Sequence, residues 1–207
     1  MSRTAQPSTA SGLGEAMPLF PLSAVLFPGG PLPLRIFEPR YVDMVRHCMR
    51  HQSGFGVVLI RSGSEVGAQR AEALCEVGTT ARIVDFDPLP DGLLGISCLG
   101  ERRFTLGRHW QEDDGLHVGD LKFAQPEARI ELPGEFQHLG ALLRKVLPEL
   151  GGLYARVPVN FADASWVGCR LAEILPLSLS EKQHCLELDD PIARLSRLNP
   201  WIRRGSP

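Results

Sequence analysis

The sequence predicts an α+β protein: a small β-barrel or curled sheet with one amphipathic helix, followed by a cluster of helices. Two observations carry this. From Leu74 to about Pro126 no stretch has helical spacing, and extended runs are broken by Asp-Gly turn signals. From residue 133 onward the apolar side chains recur at intervals of three and four, the period of a helix with one buried face. The change of period near Pro126 divides the chain into a β-rich part, 17–126, and a helical part, 127–207. A small, polar tail, 1–16, precedes both and is expected to be flexible.

The first elements lie in FPLSAVLFPGGPLPLRIFEPRY, residues 20–41. Leu32, Leu34 and Ile36 alternate with Pro33, Arg35 and Phe37, which is the period of a strand with one buried face. Pro31 and Pro33 cannot donate to a neighbouring strand, so this one belongs at a sheet edge. Pro28-Gly29-Gly30 is a turn by composition. Glu38-Pro39 opens a helix, because proline at the first helical position loses no intrahelical bond. Tyr41, Met44, Val45 and Cys48 then mark its apolar face over about 39–52.

FGVVLI at 55–60 reads as a strand. CEVGTTARIVDF, LLGISCLGERRFTLGRHW and LHVGDLKF follow, separated by Pro90-Asp91-Gly92 and Asp113-Asp114-Gly115, as an antiparallel meander. Closing such a sheet into a barrel would remove most of its edges. Over 133–150, Phe136, Leu139, Leu142, Leu143, Val146, Leu147 and Leu150 share a helical face, with Pro148 expected to kink or end the helix and Gly151-Gly152 to stop it. Asp163 caps the next helix, which carries Trp166, Val167, Leu171, Ile174 and Leu175 and ends before Pro176. Ser180 with Gln183 suggests a capping box for a third. Asp190-Pro191 begins a fourth, with Ile192, Leu195 and Leu198 inward and Pro200 beyond its end.

The 207 residues are 43% hydrophobic and 22% charged, enough for a sizeable core. A net charge of −2 argues against charge-driven nucleic-acid binding, and no apolar run reaches the ~18–20 residues that span a bilayer. No secretion signal opens the chain, so a cytoplasmic protein is expected. Cys48, Cys75, Cys98, Cys169 and Cys185 are odd in number and widely spaced, which suits reduced, buried thiols rather than disulfides or structural zinc.

Catalytic signatures are missing. A phosphate-binding loop needs a lysine after glycine, and the three lysines, Lys122, Lys145 and Lys182, do not follow one. The same three are the only bases for a serine–lysine dyad, and none sits in a recognisable motif. Gly95-Ile96-Ser97-Cys98-Leu99-Gly100 does not fit a nucleophile elbow; it reads as a strand with Ser97 and Cys98 on opposite faces. His47 and His51 stand one helical turn apart without a third ligand at fixed spacing, so no metal or cofactor is expected.

The string LFPLSAVLFPGGPLPLRIFEPRYVDM, followed in order by FGVVLI, VGTTARI, DGLLGISCLGERRF and LAEILPLSLSEKQHCLELDDPIARL, resembles the amino-terminal, substrate-binding domain of the Lon protease family over about 17–200. The resemblance implies a pseudo-barrel similar to the PUA fold, followed by a helical part, as in stand-alone bacterial members that lack the ATPase and protease domains. It also implies a non-catalytic module that recognises unfolded or apolar polypeptide segments, or a protein partner. The alternative for a PUA-like barrel is RNA binding, for which Arg102-Arg103 and Arg203-Arg204 are the only adjacent arginine pairs.

Candidate peptide-binding residues are Phe27, Phe37, Arg40, Tyr41 and Trp166, large side chains near predicted element boundaries, facing a groove between barrel and helices. An extended peptide added to an open sheet edge is the other mode, disfavoured at 28–33 by the prolines. Glu38, Arg40 and Tyr41 have a second reading: Arg40 holding a carboxylate or barrel carbonyls, and Tyr41 in the core. Arg103 is expected to be structural, paired with Glu38 or Glu101.

Overall fold

The computed structural model describes residues 14–62, 73–89 and 93–204. Six strands form one sheet: β1 (Glu15–Leu22), β2 (Pro31–Ile36), β3 (Phe55–Ser62), β4 (Ala73–Pro88), β5 (Leu94–Gln111) and β6 (His117–Phe123). Their order is β2-β5-β4-β3-β1-β6, and β6 pairs again with β5. The sheet therefore closes on itself through β5, while β2 hangs from β5 as an edge. β3 to β6 is the expected antiparallel meander; β1 enters parallel to β3 and antiparallel to β6. In β2 the prolines sit at Pro31↔Leu99 and Pro33↔Ser97, with only β5 as a partner. Ser97 and Cys98 do face opposite ways, Cys98 into the core.

Helix α1 (Pro39–His51) buries Tyr41, Met44, Val45 and Cys48 against Phe20, Ile36, Phe55, Ile96 and Cys98. Leu19, Val58, Phe104, Leu106 and Leu121 fill the remaining interior of the closed sheet. The other helices are α2 (Gln137–Leu150), α3 (Ala164–Ile174), α4 (Leu179–Glu187) and α5 (Pro191–Arg204). They share a core of Leu139, Leu143, Leu147, Val167, Leu171, Leu186, Leu195 and Leu198, which Phe27 enters from the sheet side.

Several expectations need correction. Glu15 and Ala16, expected in the tail, pair with β6; residues 1–13 lie outside the described residues, as does the Pro90-Asp91-Gly92 turn. The capping box is Ser178 with Glu181, not Ser180 with Gln183. Gln183 instead turns inward and donates to the Val77 carbonyl of β4 at 2.9 Å. Pro200 lies inside α5, which runs on to Arg204; a proline removes one ladder bond, and tertiary packing of Leu195 and Leu198 outweighs that loss. Leu150 is exposed, because it follows Pro148 in the last turn of α2. All five cysteines are free and buried.

Candidate functional site

Three arginines, two of them buried and Arg103 nearly so, join helices to sheet, and one groove lies open beside them. The first, Arg170 of α3, has no exposed surface. It donates to the carbonyls of Pro28, at 2.8 Å, and Gly29, and to Glu173 at 2.6 Å. The Pro28-Gly29-Gly30 turn is pressed against it. Gly29 has φ +71°, and its amide donates to Gly100 O at 2.7 Å. A β-carbon on Gly30 would lie 2.0 Å from Glu173 Oε1. Burial raises Glu173 to about 7 despite Arg170, and the Tyr154 hydroxyl donates to it at 3.3 Å.

Arg194 of α5 and Arg103 of β5 form the second junction. Arg194 donates to both oxygens of Glu127, at 3.0 and 2.6 Å, and to the carbonyls of Cys185 and Leu188. Arg103 donates to the carbonyls of Leu186 and Leu188, both at 2.8 Å, and to Asp189. Two guanidinium groups thus cover the carbonyl end of α4, where the helix dipole favours positive charge. Arg103 is structural, but its partners are these rather than Glu38, which pairs with Arg40, or Glu101, which pairs with Arg82. Burial works against ionisation of Glu127, yet the bonds from Arg194 and Ser165 and the nearby Arg103 hold it below the usual carboxylate range.

Beside this junction lies a groove of about 440 Å³. One wall is the Pro28-Gly29 turn and β5 from Glu101 to Arg103; the other is the N-terminal turn of α3, with Asp163, Ser165 and Trp166. The segment 124–129, which leads from β6 to the helices, runs along it. Asp163 caps α3 by accepting from the Trp166 amide at 2.7 Å. The Trp166 ring is half-buried, edge-on to Phe161 with centroids 5.1 Å apart, and its indole N–H donates to Pro158 O at 3.0 Å. With the N–H occupied, the ring meets the groove as apolar surface. The backbone of 125–129 makes no hydrogen bond to another described residue. A larger concavity, about 620 Å³, lies over β2, β4 and β5 and is lined by Pro33, Arg35, Asp87 and Ser97 without an aromatic ring.

Of the five sequence-predicted site residues, the groove contains only Trp166. Phe27 is wholly buried in the helical core, so no ligand reaches it while the protein is folded. Tyr41 stacks on Phe20 with centroids 4.0 Å apart. Arg40 lies over the Tyr41 ring, bonds Gly115 O at 2.7 Å and pairs with Glu38 at 2.8 Å. These three hold the sheet and α1 together, which is their structural reading. Phe37 is 54% exposed but stands outside the groove. The paired basic residues separate: Arg103 is consumed, and Arg102 lies over the Phe123 ring at 4.0 Å. His47 and His51 stack, with His51 Nδ1 2.9 Å from His47 O. Among the described residues no group of three or more His, Cys, Asp or Glu is placed to hold a metal ion.

The family model of the ATP-dependent protease La (LON) substrate-binding domain matches residues 16–204. The chain belongs to this family. It is 26% identical over 194 residues to a Lon protease of Phenylobacterium zucineum, covering 91% of this chain and 24% of that protein. It is 26% identical over 196 residues to Lon protease 2 of Myxococcus xanthus, covering 92% and 24%. The chain thus spans about a quarter of the length of these curated relatives, and it matches their substrate-binding domain rather than the catalytic domain. Among solved structures it is similar to a Lon N-terminal domain protein from Xanthomonas campestris, with TM-score 0.75 and 40% identity over 90% of this chain and 98% of that one. The N-terminal domain of a Mycobacterium avium complex Lon protease shares the fold, with TM-score 0.62 and 18% identity over 93% and 100%. No helix among the described residues is long and apolar enough to cross a membrane.

Proposed function

We propose that this chain is a non-catalytic module that binds unfolded or extended polypeptide in the groove beside Trp166. The groove lies at the junction of two subdomains, a PUA-like 17–126 and a helical 127–207. One observation carries the reading: the segment 125–129 offers backbone groups without partners among the described residues, next to a half-buried tryptophan. An extended peptide can satisfy those groups by strand-like pairing, while an apolar side chain packs on the indole. Paired backbone supplies affinity without sequence demands, which suits a receptor for many unfolded chains. The prolines of β2 limit the competing mode at that edge. Five buried, unpaired thiols fit a reducing compartment, and we place the protein in the cytoplasm.

The test is fluorescence anisotropy with a fluorescein-labelled protein kept unfolded by reduction and carbamidomethylation. Trp166→Ala is expected to weaken binding about tenfold or more, the usual scale for an aromatic anchor. Phe37→Ala, an exposed ring outside the groove, is expected to bind as the parent does. Circular dichroism melts verify that each variant is folded. Equal affinity of a folded Trp166→Ala protein would remove the groove from the binding site.

A further inference from the structure

The lining of this groove divides into charges already spent and charges still available. Its carboxylates are spent. Glu127 is clamped by Arg194 and also bonded by Ser165. Glu101 pairs with Arg82 at 2.6 Å. Asp163 accepts from the first turn of α3. Arg103 is spent as well, on the end of α4. Two lining cations, Arg102 of β5 and Arg129 of the connecting segment, are exposed and have no carboxylate partner among the described residues. Arg102 rests on Phe123 at 4.0 Å, which orders the guanidinium while leaving its N–H edges to solvent. The N-terminus of α3 opens on the same groove, but Asp163 already caps it, so it adds no free positive charge.

The groove is lined by three arginines and three carboxylates, but Arg102 and Arg129 alone among these have no carboxylate partner within the described residues, and the Trp166 ring stands in its α3 wall. We propose that it selects extended polypeptide in which Asp or Glu side chains flank an apolar residue. This rests on the peptide-binding reading above. Arg102 and Arg129 each offer a planar fork that matches one carboxylate, and Trp166, which lines the same groove, receives the apolar side chain. Nucleic acid is the less favoured anionic occupant: two available arginines fall short of the basic field that phosphate-backbone binding uses.

The experiment compares three short fluorescein-labelled peptides that share a central phenylalanine and carry aspartate, serine or lysine at the flanking positions. An oligo(U) RNA is titrated alongside, all at low and moderate salt. The aspartate peptide is expected to bind roughly three- to thirty-fold more tightly than the serine peptide, as two exposed ion pairs would give. That ratio should shrink with added salt and fall to about one in the Arg102→Ala/Arg129→Ala double variant. It should persist in Arg46→Ala, a substitution on the exposed face of α1. If all three peptides bind equally and Trp166→Ala weakens each, the groove binds polypeptide but the charge preference is wrong. If no peptide binds and Trp166→Ala leaves the unfolded protein's affinity unchanged, the peptide-binding reading fails and takes this one with it. RNA binding tighter than the aspartate peptide, lost in the double arginine variant, would overturn the choice of occupant.

Discussion

The two junctions between sheet and helices use the same chemistry to opposite ends. At one, Arg170 and Glu173 are buried, at 0% and 9% exposure, under a glycine turn that fits without a gap. At the other, Arg194 and Glu127 form an equally close pair, but the pair borders a groove open to solvent. The first turns the Arg170 guanidinium and the Glu173 carboxylate inward, with Arg170 Nε left without a partner among the described residues, and shows the groove only the outside of its glycine turn. The second spends its carboxylate on the scaffold and leaves, among the described residues, Arg102 and Arg129 without a carboxylate partner and the 125–129 backbone without a hydrogen bond. An ion pair seals a junction when the chain covers it, and builds one wall of a site when it does not.

Breaking the sealed junction should have the largest effect. Arg170→Met strands the Glu173 carboxylate and leaves the carbonyls of Pro28 and Gly29 without their donor. The expected cost is about 3–5 kcal/mol, read as a lower urea midpoint. A loss under 1 kcal/mol would mean that the turn does not depend on this arginine.

The two carboxylates should also respond to pH in opposite directions. Glu173 is raised from 4.5 to about 7 by burial, so the folded state holds its proton longer than the unfolded chain does. Its contribution is full below 4.5 and is lost as pH rises through about 7. Glu127 is lowered, so its contribution is present above 4.5 and is lost as pH falls through its folded value. Urea midpoints measured across this range should decline less toward neutral pH in Glu173→Gln than in the parent. They should decline less toward acid in Glu127→Gln. Profiles parallel to the parent in both variants would erase the distinction between the junctions.

The smallest effect sharpens the contrast at the groove's rim. Arg82 and Glu101 pair at 2.6 Å with side chains 54% and 43% exposed. Arg82→Ala should cost no more than about 0.5 kcal/mol, because water screens the pair and ordering it costs side-chain entropy. A larger loss in the same urea series would show that rim pairs carry stability as buried ones do.

Most of the fold was legible because it rests on local pattern. The alternation of Leu32, Leu34 and Ile36, the proline after Glu38 and the cap at Asp163 each appear where spacing placed them. The capping box was misplaced by two residues because two Ser-x-x-polar patterns overlap, and only the packing of Gln183 against β4 separates them. The site was less legible. Phe27 and Tyr41 look like binding residues in sequence because they are large and near boundaries, the same property that fills a core. Arg170 and Arg194 gave no signal, since a buried arginine and a solvated one on an amphipathic helix share the same spacing.

The sequence by itself determined the period of each segment, the turns that punctuate them, the kinship with the Lon substrate-binding domain and the absence of an ATPase motif. Those features are written within a few residues of one another. Which arginines are spent and which remain available was decided only in three dimensions. Their partners lie up to 142 residues away, as Arg170 does from Pro28, and such distances carry no local pattern.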